Sequence, residues 1–590
     1  MSIILGINAF HPDSAACLVI DGVLQSAIAE ERLGSRLKHS PHFPENAIRR
    51  VLGDAGVRLK DVTHVAFARD TKANLPAKAA YVSRHPLKSA RAVLEHVRRN
   101  SKTRDIIHEL ARICDADPSE ARFEQCNVEH HLAHIASAYY LSPFDSVTAG
   151  FSYDGSGDFA TMMAARCEGN EIKILGRVYL PHSMGAFYTA LCQVIGFDVF
   201  GEEYKVMGLA PYGEDSYADE MRDLVRIEEK GWFRLNAPYF EMHDGSASGV
   251  FDEDGRILMG RLFSARLAQR LGGVRKRSEP LGKREKDIAR SCQARFEDIA
   301  IHCMNRLHDI TGTDNLAMAG GCALNGVTNA RILRDTPFTK QYLQCASSDD
   351  GTCIGAAYYC WHSVLGQKKR FHMTHAYWGP EYTTEHLRKV AEGCGCPVRH
   401  CEDEQSLLRS VVGYLVQGLV VGWYQGRSEW GPRALGNRSI LANPTLPNMR
   451  DTINAKIKRR ESFRPFAPTV LRELVGTYFE QDIESPFMMH VVKIRPEWRE
   501  KLPAITHVDG TGRLQSMSRN DNPRYYDLIE LFRRETGVGV LLNTSFNENE
   551  PIVDTPEQAM ACFLRTDMDV LCLGDFVIVK PDAKIDGDGR

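Results

Sequence analysis

Glu129-His130-His131-Leu132-Ala133-His134 is followed about twenty residues later by Phe151-Ser152-Tyr153-Asp154-Gly155-Ser156-Gly157-Asp158. The first stretch leads into Ile135-Ala136-Ser137-Ala138-Tyr139-Tyr140, small and aromatic residues that read as helix. His130 and His134 are then i and i+4, on one face of that helix. Two imidazoles so placed can share one metal ion. His131 and His134 also share a face, so spacing alone leaves the pair open. In the second stretch an apolar run from Val147 to Tyr153 ends in Asp154, with Gly155 and Gly157 beyond it. A strand that ends in Asp-Gly-Ser-Gly gives a bare backbone turn whose amides suit phosphate oxygens. Each motif alone has an ordinary explanation, a packed histidine or a simple turn. Together they suggest a metal beside a phosphate-binding turn, and chemistry on a nucleotide or phosphoryl compound.

Working outward, 590 residues are too many for one core, so two or three domains are expected. The composition, 43% hydrophobic and 25% charged, is that of a soluble globular chain. The net charge of −3 provides no global basic field for nucleic acid. Among 16 cysteines there is no C-x-x-C pair, Cys394 and Cys396 being the nearest two, which argues against zinc-ribbon and thioredoxin-like motifs. Free thiols in a reducing cytoplasm are the expectation. Met1 leads directly into Ile3-Ile4-Leu5-Gly6-Ile7, so no signal peptide is expected. The longest apolar run, Val411 to Tyr424, is broken by Gln417 and glycines. It falls short of the roughly 20 residues a membrane span needs.

Strands are predicted over Ile3 to Ile7, Ala15 to Ile20 and Val23 to Ala29, with Asp21-Gly22 as a hairpin turn. Helices are predicted over 44 to 56, Ser183 to Ile195 and Asp287 to Ile310. A basic, helix-prone stretch over about 76–125 reads as an inserted subdomain. Asn315 to Ala319 is predicted as a buried strand running into Gly320-Gly321 and a helix, again a phosphate-binding pattern. Ser347-Ser348-Asp349-Asp350-Gly351-Thr352 offers a late carboxylate before a small-residue helix. Gly366 to Pro380 is the linker candidate. From Arg427 to Arg464 there are nine Lys or Arg against three acids. Its arginines interleave with Gly431-Pro432, Gly436-Asn437 and Pro465 to Pro468, and arginines on rigid turns suit bidentate oxyanion recognition. Val538 to Leu542 is predicted as a strand ending in the polar Asn543-Thr544-Ser545-Phe546-Asn547, where α/β proteins place ligands.

The motifs occur in a specific order. They are Gly6-Ile7-Asn8 with His11 and Ser14-Ala15-Ala16; Ala29-Glu30-Glu31-Arg32; Lys38-His39; His130-His131-x-x-His134; Glu203 to Ala210; Ala319 to Asn325; Gly431 to Gly436; Arg460 to Pro468; and Asn543 to Asn547. With them the chain resembles, over nearly its whole length, the O-carbamoyltransferases of the nodulation-factor and antibiotic-tailoring type (the NodU/CmcH family).

The resemblance implies an α/β protein of two domains. Residues 1–366 would form an actin-like ATPase-fold domain similar to the tRNA threonylcarbamoyl transferase. Residues 380–590 would form a domain similar to the YrdC-type threonylcarbamoyl-AMP synthase. The C-terminal domain would convert carbamoyl phosphate and ATP, with Mg²⁺, into carbamoyl-adenylate. The N-terminal domain would pass the carbamoyl group to a hydroxyl of a small-molecule acceptor. The implied metal ligands are His130, His134, Asp154 and Asp349, the last preferred over Asp350 as the first acid of the family's Asp-x-Gly pattern. Nitrogen and oxygen donors without thiolate suit Fe²⁺, with Mn²⁺ or Zn²⁺ as alternatives. His11 is the implied general base. Here His-Pro-Asp-Ser stands where many relatives have His-Asp-x-Ser, which leaves Asp13 without an assigned role.

Adenylate contacts are implied for Gly155, Gly157, Lys205, Gly208, Gly320, Gly321 and Asn325. Carbamoyl phosphate and ATP contacts are implied for Arg433, Lys458, Arg464, Arg513, Asn543 and Ser545. Lys38, His39, Arg427, Arg438, Arg459 and Arg460 are left unassigned. A hydrogenase-maturation carbamoyl enzyme would have the opposite domain order and cysteine-rich motifs. A nucleic-acid module built on 427 to 464 would need more stacking aromatics than Trp430 and Phe463. A cytoplasmic enzyme, a homodimer with no nucleic-acid or membrane partner, is the resulting expectation.

Overall fold

Ile3–Asn8, apolar along both faces, forms the central strand β1 of the first sheet in a computed structural model of the chain. The structure describes residues 1–34, 36–86, 106–242, 250–251, 257–258, 260–461 and 463–584. The chain divides into two compact units, Met1–Met373 and Thr374–Arg590.

In the first unit β2 (Ala15–Ile20) and β3 (Val23–Ala29) follow β1 as an antiparallel meander, and β4 (His64–Phe67) and β5 (Glu124–Asn127) add in parallel on its other side. The order is β3-β2-β1-β4-β5. A second sheet repeats this pattern. β6 (Thr148–Gly157), β7 (Ala160–Glu168) and β8 (Glu171–Tyr179) form the meander. Between them and the parallel additions come two short hairpins, β9 (Val225–Ile227) with β10 (Phe233–Leu235) and β11 (Val250–Phe251) with β12 (Ile257–Leu258). β13 (Asn315–Ala319) and β14 (Lys340–Leu343) then join in parallel, giving β14-β13-β6-β7-β8. Two copies of one meander-plus-parallel sheet are the architecture of an actin-like ATPase fold, as expected.

Two helices lie between the sheets. The His130–Tyr139 helix packs on β6, β7 and β13, and the Thr352–Tyr359 helix packs on β1, β2 and β4. The two helices also pack on each other. Their approach is close because Gly355 has no side chain: a Cβ there would stand 1.8 Å from the Ala133 carbonyl oxygen. Small residues in both helices are thus a packing requirement.

The helical insertion expected over about 76–125 is seen as the Leu75–Arg84 and Ile106–Ile113 helices; its middle, 87–105, lies outside the described residues. Its expected end falls inside β5. The predicted strand end at Asp154 is also corrected. β6 continues through Gly157, with an irregularity in its pairing to β7 after Tyr153, and turns at Asp158 and Phe159. Glycines weaken a strand but suit a bulge. The helix after Gly320-Gly321 begins at Gly326, a short 3-10 turn over Gly321–Leu324 intervening.

The second unit is built on one mixed nine-stranded sheet. Its strands are β15 (Val398–His400), β16 (Val421–Tyr424), β17 (Arg438–Ala442), β18 (Ala467–Leu471), β19 (His490–Lys493), β20 (Thr511–Met517), β21 (Val540–Ser545), β22 (Val570–Leu573) and β23 (Phe576–Val579). Asn543 and Ser545 lie within β21, where the sequence had suggested a polar cluster just past it. Arg438 is wholly buried in β17. Its guanidinium stacks 3.6 Å from the Tyr424 ring centroid and donates to the carbonyls of Gln425, Gly426, Asn437 and Asp554. All 16 cysteines are free. Among the described residues no helix is long and apolar enough to cross a membrane.

Candidate active site

His130 is the first residue of its helix, and its backbone N–H donates to Asp158 Oδ2 at 3.0 Å. The same oxygen accepts the Asp70 N–H at 2.9 Å, so one carboxylate ties the helix start to the loop after β4. One turn on, His134 is fully buried. Asp154 arrives from β6, its Oδ1 accepting the Gly321 N–H at 3.0 Å. Asp349 opens the short turn before the Thr352–Tyr359 helix.

The ligand atoms of His130, His134, Asp154 and Asp349 lie within 4.8 Å of one another. The two Nε2 atoms are 3.1 Å apart. His130 Nε2 stands 3.3 Å from Asp154 Oδ2 and 3.4 Å from Asp349 Oδ1, and His134 Nε2 stands 3.8 and 3.5 Å from the same oxygens. Donors about 2.1 Å from a common ion would be about 3.0 to 3.4 Å apart in octahedral or tetrahedral arrangement. Four such donors, two imidazoles and two carboxylates with no thiolate, fit a divalent ion. Asp350 is buried, and its Oδ1 accepts the Gly351 N–H instead.

The charges are strongly coupled. Burial lowers the His134 imidazole, but hydrogen bonds to Asp154 and Asp349 outweigh it and hold the group at about 9. Burial raises Asp154, yet the two histidines bring it well below the usual carboxylate range. Asp349 is likewise raised by burial, but is held at about 2 chiefly by His11. His131, which spacing could not separate from the pair, turns away: its Nδ1 meets Ser152 Oγ at 2.8 Å. Burial and its two histidine neighbours push it down to about 3, a neutral core residue.

His11 sits in the loop between β1 and β2, and its Nδ1 pairs with Asp349 Oδ2. Asp349 therefore faces the cluster with one oxygen and His11 with the other. The His11 ring centroid is 5.3 Å from that of His130. Burial lowers its pKa, and the Asp349 carboxylate more than reverses this.

Several predicted nucleotide contacts have structural duties. A Cβ on Gly157 would stand 2.0 Å from His130 Cδ2, one on Gly320 2.2 Å from the Tyr153 carbonyl oxygen, and one on Gly321 2.7 Å from Asp154 Oδ1. Gly155 has open space where its Cβ would be. Ser183 caps the Met184–Val194 helix through Ala186 N–H and donates to the Gly155 carbonyl at 2.7 Å. That tie was not foreseen. Lys205 is buried in an ion pair with Glu202 at 2.7 Å, and Gly208 lies in the Glu203–Leu209 helix. Asn325 caps the Gly326–Asp335 helix and donates to Gln293 Oε1 at 2.9 Å.

In the second unit, Arg513 on β20 is pushed well below its ordinary value by burial and by the positive charges of Arg433, Arg460 and Arg464. Gathering four guanidinium groups is costly unless an anion is to be received. Arg460, left unassigned from sequence, belongs to this group; the signal for it was its place at the head of Arg460-Glu461. Lys458 is buried and donates to the Ser545 carbonyl at 2.6 Å and Asn547 Oδ1 at 2.6 Å. Asn543 donates to the Ala434 carbonyl beside Arg433, to Thr469 and to Gln515.

An α/β protein with a His/Asp cluster able to hold a metal in an actin-like unit, and an arginine cluster in a second unit, is the class these features define. The chain belongs to the carbamoyltransferase family, and the protein is a transferase of that family. The model described as "Carbamoyltransferase N-terminus" matches residues 3–358, and "Carbamoyltransferase C-terminus" matches residues 412–580. Among its relatives, "Uncharacterized protein sll1178" of Synechocystis sp. is 39% identical, covering 98% of this chain and 97% of that protein. "Nodulation protein NolNO" of Sinorhizobium fredii is 36% identical over 98% of this chain and 80% of its own length. The "3'-hydroxymethylcephem-O-carbamoyltransferase" of Streptomyces clavuligerus is 28% identical over 71% of this chain and 74% of its own.

Proposed function

We propose that the protein is an ATP-dependent O-carbamoyltransferase. In this reading the YrdC-like second unit hydrolyses carbamoyl phosphate to carbamate and inorganic phosphate, then joins the carbamate to the α-phosphate of ATP, releasing pyrophosphate. The resulting carbamoyl-adenylate is attacked in the first unit by a hydroxyl of a small-molecule acceptor, giving a carbamate ester and AMP. The observation that carries the reading is Asp349, shared between His11 and the His130/His134/Asp154 cluster. This contact supports reading His11 as a base beside a metal site. A divalent ion held there, Fe²⁺ by preference, supplies Lewis-acid polarisation of a carbonyl or phosphoryl oxygen. His11 takes the hydroxyl proton, and Asp349 orients and charge-balances the imidazole. Arg433, Arg460, Arg464 and Arg513 neutralise the phosphates of the two substrates, with Mg²⁺ accompanying ATP.

The test is incubation with ATP, carbamoyl phosphate and a panel of hydroxylated metabolites. AMP and pyrophosphate should form only when both phosphorylated substrates are present, and an accepted metabolite should gain the mass of one carbamoyl group. If ATP is not consumed with both present, the adenylation reading is wrong.

A further inference from the structure

The loop that carries His11 is held from outside. Phe10 and Asp13, on either side of His11, have φ of 59° and 64°, in the left-handed region that non-glycine residues avoid. Such a loop persists when its surroundings over-determine it. Asp13 supplies three ties. Its carbonyl accepts from Asn8 Nδ2 at 3.0 Å. Its Oδ1 meets His39 Nδ1 at 2.5 Å, and its Oδ2 accepts the Ser348 hydroxyl at 2.7 Å. Ser348 is the residue before Asp349, the partner of His11. His39 is fixed in turn. Its N–H donates to Glu31 Oε2 at 2.8 Å, and its ring stands edge-on to Phe200 with centroids 4.9 Å apart. Gly201 packs so near that a Cβ would be 2.2 Å from His39 Nε2.

We infer that Asp13 is a positioning residue that ties the His11 loop to the Asp349 turn, with His39 as its brace. The inference deepens the proposed function and rests on its assignment of His11. Carboxylate, imidazole and hydroxyl form one chain, His39–Asp13–Ser348, closed on the far side by the pair His11–Asp349. Asp13, Glu31 and His39 also have ligand atoms within 4.8 Å of one another, the spacing of a second cation site. Both oxygens of Asp13 are already engaged, one by His39 and one by Ser348, which favours the brace.

The test uses the full-length protein and its D13N, S348A and S348T variants. Diethyl pyrocarbonate is the probe, and the rate of His11 modification is followed by peptide mass mapping. AMP formation from ATP and carbamoyl phosphate, and metal bound per chain, are measured alongside. Losing one hydrogen bond of ordinary net strength should raise His11 reactivity about fivefold in D13N and S348A. S348T, which keeps the hydroxyl, should return it close to wild type, with AMP formation and metal content unchanged throughout. Unchanged His11 reactivity in S348A, or no rescue by S348T, overturns the inference even if D13N folds poorly. Loss of one bound ion in D13N overturns it in favour of a second cation site. Failure of wild type to form AMP sinks the proposed function instead, and the His11 rates still decide the brace.

Discussion

His11 and Asp349 show how one contact sets two roles. The carboxylate that completes the His/Asp cluster also orients the imidazole proposed as base. H11N should therefore leave AMP formation intact while carbamoyl transfer falls about 10²- to 10⁴-fold, the usual contribution of a positioned acid or base. Equal loss of both half-reactions would remove His11 from the transfer step. His39 makes a prediction about pH. Burial lowers its pKa, but Asp13 against it and Glu31 nearby outweigh burial and Lys38, and hold it at about 9 against an ordinary 6.5. A histidine raised in the folded state stabilises fully below its unfolded value, and that stability is lost as pH climbs through the folded one. In urea unfolding, wild type should exceed H39Q in stability at about pH 6, with the gap shrinking from about 6.5 and gone above about 9. A gap independent of pH would show that His39 acts by packing alone.

At the scale of elements, glycine decides how closely the parts of the site approach. β6 reaches His130 because Gly157 offers no side chain, and the two central helices meet because Gly355 offers none. G157A would place a methyl against the imidazole and turn it from the cluster. Metal affinity, measured by titration of the metal-stripped protein, should fall about 10- to 100-fold, as when a ligand's supporting contacts are lost. Affinity equal to wild type would mean that His130 can move without cost, or is not a ligand. The same close packing explains why a run read as strand, aspartate and phosphate turn is instead a strand with an irregular, glycine-bearing end.

At the scale of the whole molecule, the two clusters belong to separate compact units, the His/Asp group to Met1–Met373 and the arginine group to Thr374–Arg590. The half-reactions should accordingly be separable. Phenanthroline, which leaves Mg²⁺ in place, should stop carbamoyl transfer while AMP still forms. R464A should cut AMP formation about 10²- to 10³-fold, the loss seen when one oxyanion donor is removed, with bound metal unchanged. If phenanthroline stopped AMP formation as fully as transfer, the division of labour between the units would be wrong.

Much of the local structure was legible in the residues. Ile3–Asn8, Ala15–Ile20 and Val23–Ala29 form the predicted strands, and His130–Tyr139 the predicted helix, because hydrophobic pattern and backbone geometry act over a few residues. That His130 and His134 share a helix face was likewise a matter of spacing. Which of Asp349 and Asp350 faces the cluster, that His131 turns away from it within the core, and that Asp154 lies inside a strand were not local matters. Nor was the fate of the basic segment, where Arg438 is buried on Tyr424 while the charge of Arg460 bears on Arg513. These depend on which surfaces are brought together from distant parts of the chain, and so on burial and on the charges that burial forces into contact. The α/β elements and the available donors follow from the order of residues along the chain; which donors meet follows from tertiary packing, because their approach is set by the fit of one sheet and helix against another.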